Sequence, residues 1–278
     1  MKNIYQDKIC VITGAASGIG RALALELASR GAILALCDIN AEKLSETASL
    51  MGRSNRVMSD VFDIADAHAI ADYASKVENG LGAADYVFNV AGLTRVGNFV
   101  DTPLDSMEKV MNVNYWGVVR MSKAFIHQLL GTKGTLVNIS SVFGFIGYAG
   151  QTHYCASKFA VRGFTETLAQ ELKDTGVGIC CVHPGGVQTN VTRNAVVDKM
   201  PVGDATREEL DASFDKMAIT TAEKAAQVIL KGVARRKKRI LIGLDSRIIS
   251  LAYRLFPTAY TTILEKYAGE NVILSSKS

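Results

Sequence analysis

The chain reads as an α/β fold, a doubly wound parallel sheet with helices on both faces. Three observations predict it. Short apolar runs alternate with amphipathic helical stretches from Lys8 onward. A glycine-rich turn, Gly14-Ala15-Ala16-Ser17-Gly18-Ile19-Gly20, separates the first run from the first helix. The polar residues Asp38, Asp63, Asn89 and Ser141 each close an apolar run, and open α/β sheets bind ligands at those ends. With 278 residues, 48% hydrophobic and 21% charged, the chain can bury one large core. Four prolines and no low-complexity stretch leave no linker to divide it, so residues 1–278 are expected to form a single domain.

Lys8 to Thr13 is the first strand and Arg21 to Ser29 the first helix. The turn between them is a phosphate cradle. Gly14, Gly18 and Gly20 let backbone N–H groups approach a pyrophosphate, with Ser17 and Ile19 between them, and the helix N-terminus favours negative charge. Three residues, not one, separate the first two glycines, a departure from the usual dinucleotide fingerprint. Ala32 to Cys37 is the second strand, ending at Asp38. A carboxylate about 20 residues past the glycines suits the ribose hydroxyls of NAD and repels the 2′-phosphate of NADP. Asp38 could instead cap the Ala41–Leu50 helix, a role open to Asn40 as well. Val57 to Phe62 is a third strand, followed by Asp63-Ile64 and a helix capped by Asp66. Tyr86 to Val90 is a fourth, ending in Asn89-Val90-Ala91-Gly92. The regular β-α-β-α-β-α-β order implies the parallel sheet.

Leu104 to Leu130 carries a long helical pattern, with Asn114 unfavourable in its middle and Trp116 expected to pack. Gly134 to Ser140 is a fifth strand, and a helix from Thr152 to Leu172 follows. Tyr154 and Lys158 lie four apart and so share a helix face. A free phenol has a pKa of about 10, and bringing it to about 8 takes roughly 2.7 kcal/mol. One charge at about 4 Å supplies roughly 4 kcal/mol at an effective dielectric near 20, so Lys158 is of the right size to make Tyr154 an acid/base. Ser141 can hold the substrate oxygen.

Val177 to Val182 is a sixth strand. By composition the segment from His183 to Thr189 is a turn, with His183 an ordinary loop histidine. Residues 190–217 read as a lid over the site. Thr221 to Ala234 is helical and Arg239 to Ile242 a short strand. The C-terminal extension, 246–278, is apolar from Ser246 to Tyr267 with scattered Arg and Tyr. Packing against the domain or a sister subunit is favoured over membrane-surface contact.

Net charge is +4, much of it in Arg235-Arg236-Lys237-Lys238-Arg239, which reads as a solvated helix end. No motif or aromatic interleaving supports nucleic-acid binding. Cys10, Cys37, Cys155, Cys180 and Cys181 show no metal spacing and an odd count, as buried thiols in a reducing compartment would. No signal-peptide core and no run of 18 apolar residues is present, so a cytoplasmic enzyme is expected.

Together these residues resemble the short-chain dehydrogenase/reductase family, closely from Lys8 to Thr189. The resemblance rests on Thr13 to Gly20, Asp63-Ile64, Asn89 to Gly92, Asn114-Tyr115-Trp116-Gly117, Ser141, Tyr154 to Lys158, and Pro184-Gly185-Gly186-Val187-Gln188-Thr189, in that order. It implies a Rossmann-type sheet of about seven strands and a catalytic tetrad of Asn114, Ser141, Tyr154 and Lys158. Tyr154 would be the acid/base and Ser141 would orient the substrate. Lys158 would hold the nicotinamide ribose and depress the tyrosine pKa. Asn114 would position a water in a proton relay. Asp63 and Ile64 would contact adenine, and Asn89, Ala91 and Gly92 would border the adenosine ribose. Pro184 and Gly185 would also border the cofactor, with Val187 and Thr189 at the carboxamide. Val90 departs from the family, which usually has a second Asn there.

The expected reaction is hydride transfer between NAD, preferred over NADP, and a secondary alcohol or ketone. Phe143, Phe145, Ile146, Tyr148, Leu93, Val191, Val196, Val197 and Met200 suggest an apolar substrate pocket. Two rival readings are a sugar-nucleotide epimerase or dehydratase, disfavoured by the glycine spacing and chain length, and a non-catalytic nucleotide sensor, which would commonly have lost Tyr154 or Lys158. By analogy with the family, the Leu104–Leu130 and Thr152–Leu172 helices would join a homodimer or homotetramer.

Overall fold

The computed structural model of the chain describes residues 3–52, 56–189, 196–197 and 206–261. Seven parallel strands form one sheet: β1 (Ile9–Thr13), β2 (Ile33–Asp38), β3 (Val57–Val61), β4 (Tyr86–Asn89), β5 (Thr135–Ile139), β6 (Gly178–Pro184) and β7 (Arg239–Ile242). Their order across the sheet is β3-β2-β1-β4-β5-β6-β7. The chain winds outward in one direction from β1 and then in the other from β4. The crevice at the ends of those two strands is where such a sheet binds a nucleotide.

Helices cover both faces. α1 (Gly18–Ser29), α2 (Ala41–Ser49) and a later helix, Ala222–Ala234, lie on one side. α3 (Ala67–Gly80), α5 (Gly117–Thr132) and α6 (Thr152–Glu171) lie on the other. β1 shows why its residues are all apolar. Cys10 and Ile12 point into the first core, with Leu23 and Ile229. Ile9 and Val11 point into the second, with Ile70 and Phe125. Both faces are dry, so period-two alternation vanishes from the sequence. Each such fully buried side chain contributes about 1.5–3 kcal/mol.

Two expectations need correction. The Leu104–Leu130 pattern is not one helix. α4 (Leu104–Met111) and α5 are joined by a π-helical turn, Asn112–Trp116, which contains Asn114. The widened turn accounts for a poor helix former at that place. The predicted turn at His183 is also wrong in its first residues, because β6 runs on through His183 and Pro184, which pair with Leu241 and Ile242 of β7. The C-terminal helix Leu244–Leu255 turns Ser246 and Ser250 inward, half-buries Ile249 and Tyr253, and leaves Leu244, Ile248, Leu251 and Leu255 exposed on the single chain.

Of the proposed lid, Val196–Val197 pairs with Arg95–Val96 in a two-stranded ribbon beside the loop after β4, and Arg207–Met217 is helical. Val191 and Met200 lie outside the described residues, as does the extension beyond residue 261. All five cysteines are buried free thiols. Among the described residues there is no cluster with metal-ligand character and no helix long and apolar enough to cross a membrane.

Candidate active site

The glycine turn is built as a cradle. Gly14 and Gly18 have φ of +68° and +51°, where a side chain would be strained. A Cβ on Gly20 would lie 2.0 Å from the Gly14 carbonyl oxygen, so α1 can begin this close to the turn only with glycine there. Ser17 stands at the N-cap position but makes no capping bond, and Ile19 is half-buried beside it. The first-turn N–H groups of α1 therefore face the crevice, as a dinucleotide phosphate requires. Thr189 meets Gly18 across that crevice.

Asp38, at the end of β2, spends both carboxylate oxygens on backbone. One accepts from Ala16 N at 3.0 Å and the other from Asn40 N at 2.9 Å. Asn40, not Asp38, caps α2, accepting from Lys43 N. Arg21 is committed to the Ala16 and Lys43 carbonyls and to Glu46. Asp63 is exposed at the end of β3, while Ile64 is buried against Gly117, so only its backbone is left to face an adenine.

Thr13 Oγ1 accepts from Val90 N and Ala91 N, tying the end of β1 to the end of β4 without help from the Val90 side chain. Asn89 donates to Asn138 Oδ1 at 2.8 Å, and Asn138 donates to Thr165, joining β4, β5 and α6. Gly92 passes so close to Asn114 Oδ1 and Lys158 Nζ that an added Cβ would sit 3.2 and 3.5 Å from them.

The tetrad residues converge at the end of β5. Ser141 follows that strand in extended conformation, its Oγ accepts from Phe143 N, and its hydroxyl neighbours the Tyr154 phenol. Ser140 Oγ donates to the Lys158 carbonyl at 2.8 Å, which docks α6 on the strand end. Lys158 is 4% exposed. Its Nζ donates to the Ile139 carbonyl at 3.1 Å and lies 5.6 Å from the centre of the Tyr154 ring. Asn114 is wholly buried. Its Oδ1 accepts from Leu93 N, and its Nδ2 donates to Leu93 O and Ser157 Oγ. Both of its N–H donors are thus engaged, and one lone pair of its Oδ1 is left.

The electrostatics differ from the expectation. Burial pushes the Tyr154 phenol up to about 12, only partly offset by the neighbouring Ser141 hydroxyl. Burial also brings the Lys158 ammonium down to about 8. Desolvation outweighs the pairwise attraction that the four-residue spacing suggested.

On the substrate side, Phe143 stacks on Tyr148 and meets Tyr154 edge-on. Phe145 and Ile146 are buried in the core, so of the nine residues expected to line the pocket these two do not face it. Two residues were missed. Asp245 accepts from Gly186 N and lies against Gly185, fixing the turn after Pro184, and Gln151 accepts from Thr94 beside Tyr154. Neither stands in a motif, and only the fold brings them to the site.

A glycine cradle, a carboxylate at the end of β2 and a Ser–Tyr–Lys group at the end of β5 occur together on one sheet edge. The sequence matches the short-chain dehydrogenase profile over residues 8–199. The chain belongs to that family. SadH of Mycobacterium tuberculosis, named as an oxidoreductase, is 39% identical over 266 residues, covering 94% of this chain and 95% of that one. The rat dehydrogenase/reductase SDR family member 7B is 32% identical over 251 residues, covering 87% and 75%. A Burkholderia phymatum family member solved with NAD superposes with a TM-score of 0.81 at 26% identity, covering 93% of this chain and 96% of that one. A Streptomyces avermitilis member gives 0.80 at 26% identity, covering 95% and 98%.

Proposed function

We propose that this family member is an NAD-dependent oxidoreductase acting on a secondary alcohol or ketone of apolar character, with Asn114, Ser141, Tyr154 and Lys158 as its catalytic group. The observation that carries the reading is the buried Lys158 ammonium, held on the Ile139 carbonyl 5.6 Å from the centre of the Tyr154 ring, at the strand end that Ser141 follows. A bound nicotinamide would supply the hydride acceptor or donor. Gly14, Ser17, Gly18, Ile19 and Gly20 would hold its phosphates, Asp38 its adenosine ribose, and Pro184, Gly185, Val187 and Thr189 its nicotinamide end. Asp63 and Ile64, with Asn89, Ala91 and Gly92, would border the adenosine half.

Tyr154 exchanges a proton with the substrate oxygen while Ser141 holds that oxygen. A phenol pushed up to about 12 is protonated at neutral pH, which suits proton donation during carbonyl reduction. In the other direction the Lys158 charge is the resident group that favours the phenolate. The preference for NAD is supported by Asp38, a charge at the end of β2 that would repel a 2′-phosphate, and by the engagement of Arg21 elsewhere. Trp116 and Phe159 are exposed on the two helical segments that the family analogy assigns to a homo-oligomer, and light scattering tests that assembly. The segment 190–217 would act as the lid.

The test is a fluorescence screen for NADH formation or consumption against alcohols, ketones and sugar nucleotides. Turnover with apolar alcohols or ketones is expected. Turnover with sugar nucleotides alone, or none with any substrate despite NAD binding, would overturn the reading.

A further inference from the structure

His183 has no part in the mechanism above, yet it is 0% exposed directly behind Ser141. The β5–β6 ladder ends where Ser140 N donates to the Val182 carbonyl at 2.8 Å. Beyond that bond β5 leaves the sheet, and the imidazole of His183 spans the opening. Its Nδ1 lies 3.0 Å from the Ser141 carbonyl oxygen, which also accepts from Gly144 N at 3.0 Å. The ring is clamped. It stacks on Phe145 with centroids 4.1 Å apart, and the Arg162 and Arg239 guanidiniums lie over Phe145 at 4.8 and 5.5 Å. Arg162 also donates to the Gly144 carbonyl. From the backbone side, Ser246 Oγ donates to the His183 carbonyl at 2.8 Å.

We propose that His183 is a positioning residue: its Nδ1–H, donated to the Ser141 carbonyl, fixes the Ser141 backbone so that Oγ meets Tyr154 and the substrate oxygen. A carbonyl only accepts, so the proton must sit on Nδ1. Among the described residues the buried Nε2 has no hydrogen-bond partner, and a bare nitrogen there costs less than an unpaired N–H of an imidazolium. The tautomer therefore follows from the geometry. The kinetic consequence rests on the proposed catalytic role of Ser141. The tautomer does not.

The test compares three substitutions. The amide nitrogen of Asn is as many bonds from Cα as Nδ1, and that of Gln as many as Nε2. His183→Asn can keep the bond, while His183→Gln and His183→Leu lose it. His183→Leu and His183→Gln are expected to lower kcat by about 3–10-fold, the size of one hydrogen bond. The NAD KM should stay within about twofold, and His183→Asn should recover most of the kcat. A residue that only staples the strand would lower the melting temperature in all three without separating Asn from Leu. An unchanged kcat in His183→Leu, or equal losses in Asn and Leu, overturns the proposal. The wild-type protein gives a second reading should a variant fail to fold: ¹⁵N NMR of the histidine rings must show His183 as the Nδ1–H tautomer, and an Nε2–H tautomer refutes it. If the wild-type protein turns over no alcohol or ketone, the proposed reaction fails, and the NMR result still decides the hydrogen bond.

Discussion

The Lys158 ammonium stands 5.6 Å from the centre of the Tyr154 ring and donates to the Ile139 carbonyl, so it is anchored to the end of β5 and faces the ring. Lys158 is buried and Tyr154 half-buried, and each is shifted against its own charged form, Tyr154 up to about 12 and Lys158 down to about 8.

A pH profile follows. Alcohol oxidation needs Tyr154 to accept a proton, and the fraction able to do so grows as pH rises toward the phenol's pKa. Lys158 helps only while charged, and it loses its proton around pH 8. The oxidation rate should climb from pH 6 and bend near 8. Steady-state kcat across pH 6–10 checks this, and a rate that falls from pH 6 upward contradicts it.

Asp38 should set cofactor choice. Asp38→Asn removes the charge while keeping one acceptor for the Ala16 or Asn40 amide. The ratio of kcat/KM for NAD over NADP is expected to fall by about tenfold, a change of about 1.4 kcal/mol. A wild-type preference for NADP, or an unchanged ratio in the variant, would remove Asp38 from that role.

Gly20→Ala should cost both stability and cofactor affinity. Its Cβ would meet the Gly14 carbonyl oxygen, a backbone atom that cannot swing aside. The melting temperature should drop by several degrees, in line with a loss of about 1–3 kcal/mol from overpacking. NADH fluorescence enhancement should be lost. An intact melting curve with normal NADH binding contradicts the cradle geometry.

Alkaline pH should destabilise the fold. Burial raises the thiols of Cys10, Cys37, Cys155, Cys180 and Cys181 above their ordinary value of 9.0. It also raises the phenols of Tyr5, Tyr73, Tyr86, Tyr148 and Tyr154 above 10.0. Above pH 9 the unfolded chain releases protons that the folded chain keeps, so stability falls as pH rises. Lys158 acts in the opposite sense, one group against ten. The melting temperature should decline steadily from pH 9 to 11, and a flat curve there would contradict the burial of these groups.

Much of this was legible in the sequence. The strands read cleanly because both faces of the sheet are buried, which turns β1, β2 and β4 into continuous apolar runs. Asp38, Asn89 and Ser141 read as site residues because they interrupt those runs where the strands end. The π-helical turn at Asn114 did not read, since only the backbone hydrogen-bond pattern distinguishes it from a continuing helix. His183 was hidden by the Pro-Gly-Gly that follows it, and its partners Ser141 and Phe145 come from about 40 residues away. The inward turn of Phe145, the exposed leucines of the C-terminal helix and the raised Tyr154 pKa depend on tertiary burial, which spacing along a chain does not encode.

The central claim is that the Tyr154 phenol carries the proton, and Tyr154→Phe tests it most directly. Removing one hydroxyl spares the packing of the ring against Phe143. Steady-state turnover on the best alcohol or ketone should fall by at least about 100-fold with NAD binding retained, whereas near-wild-type turnover in that variant would contradict the account.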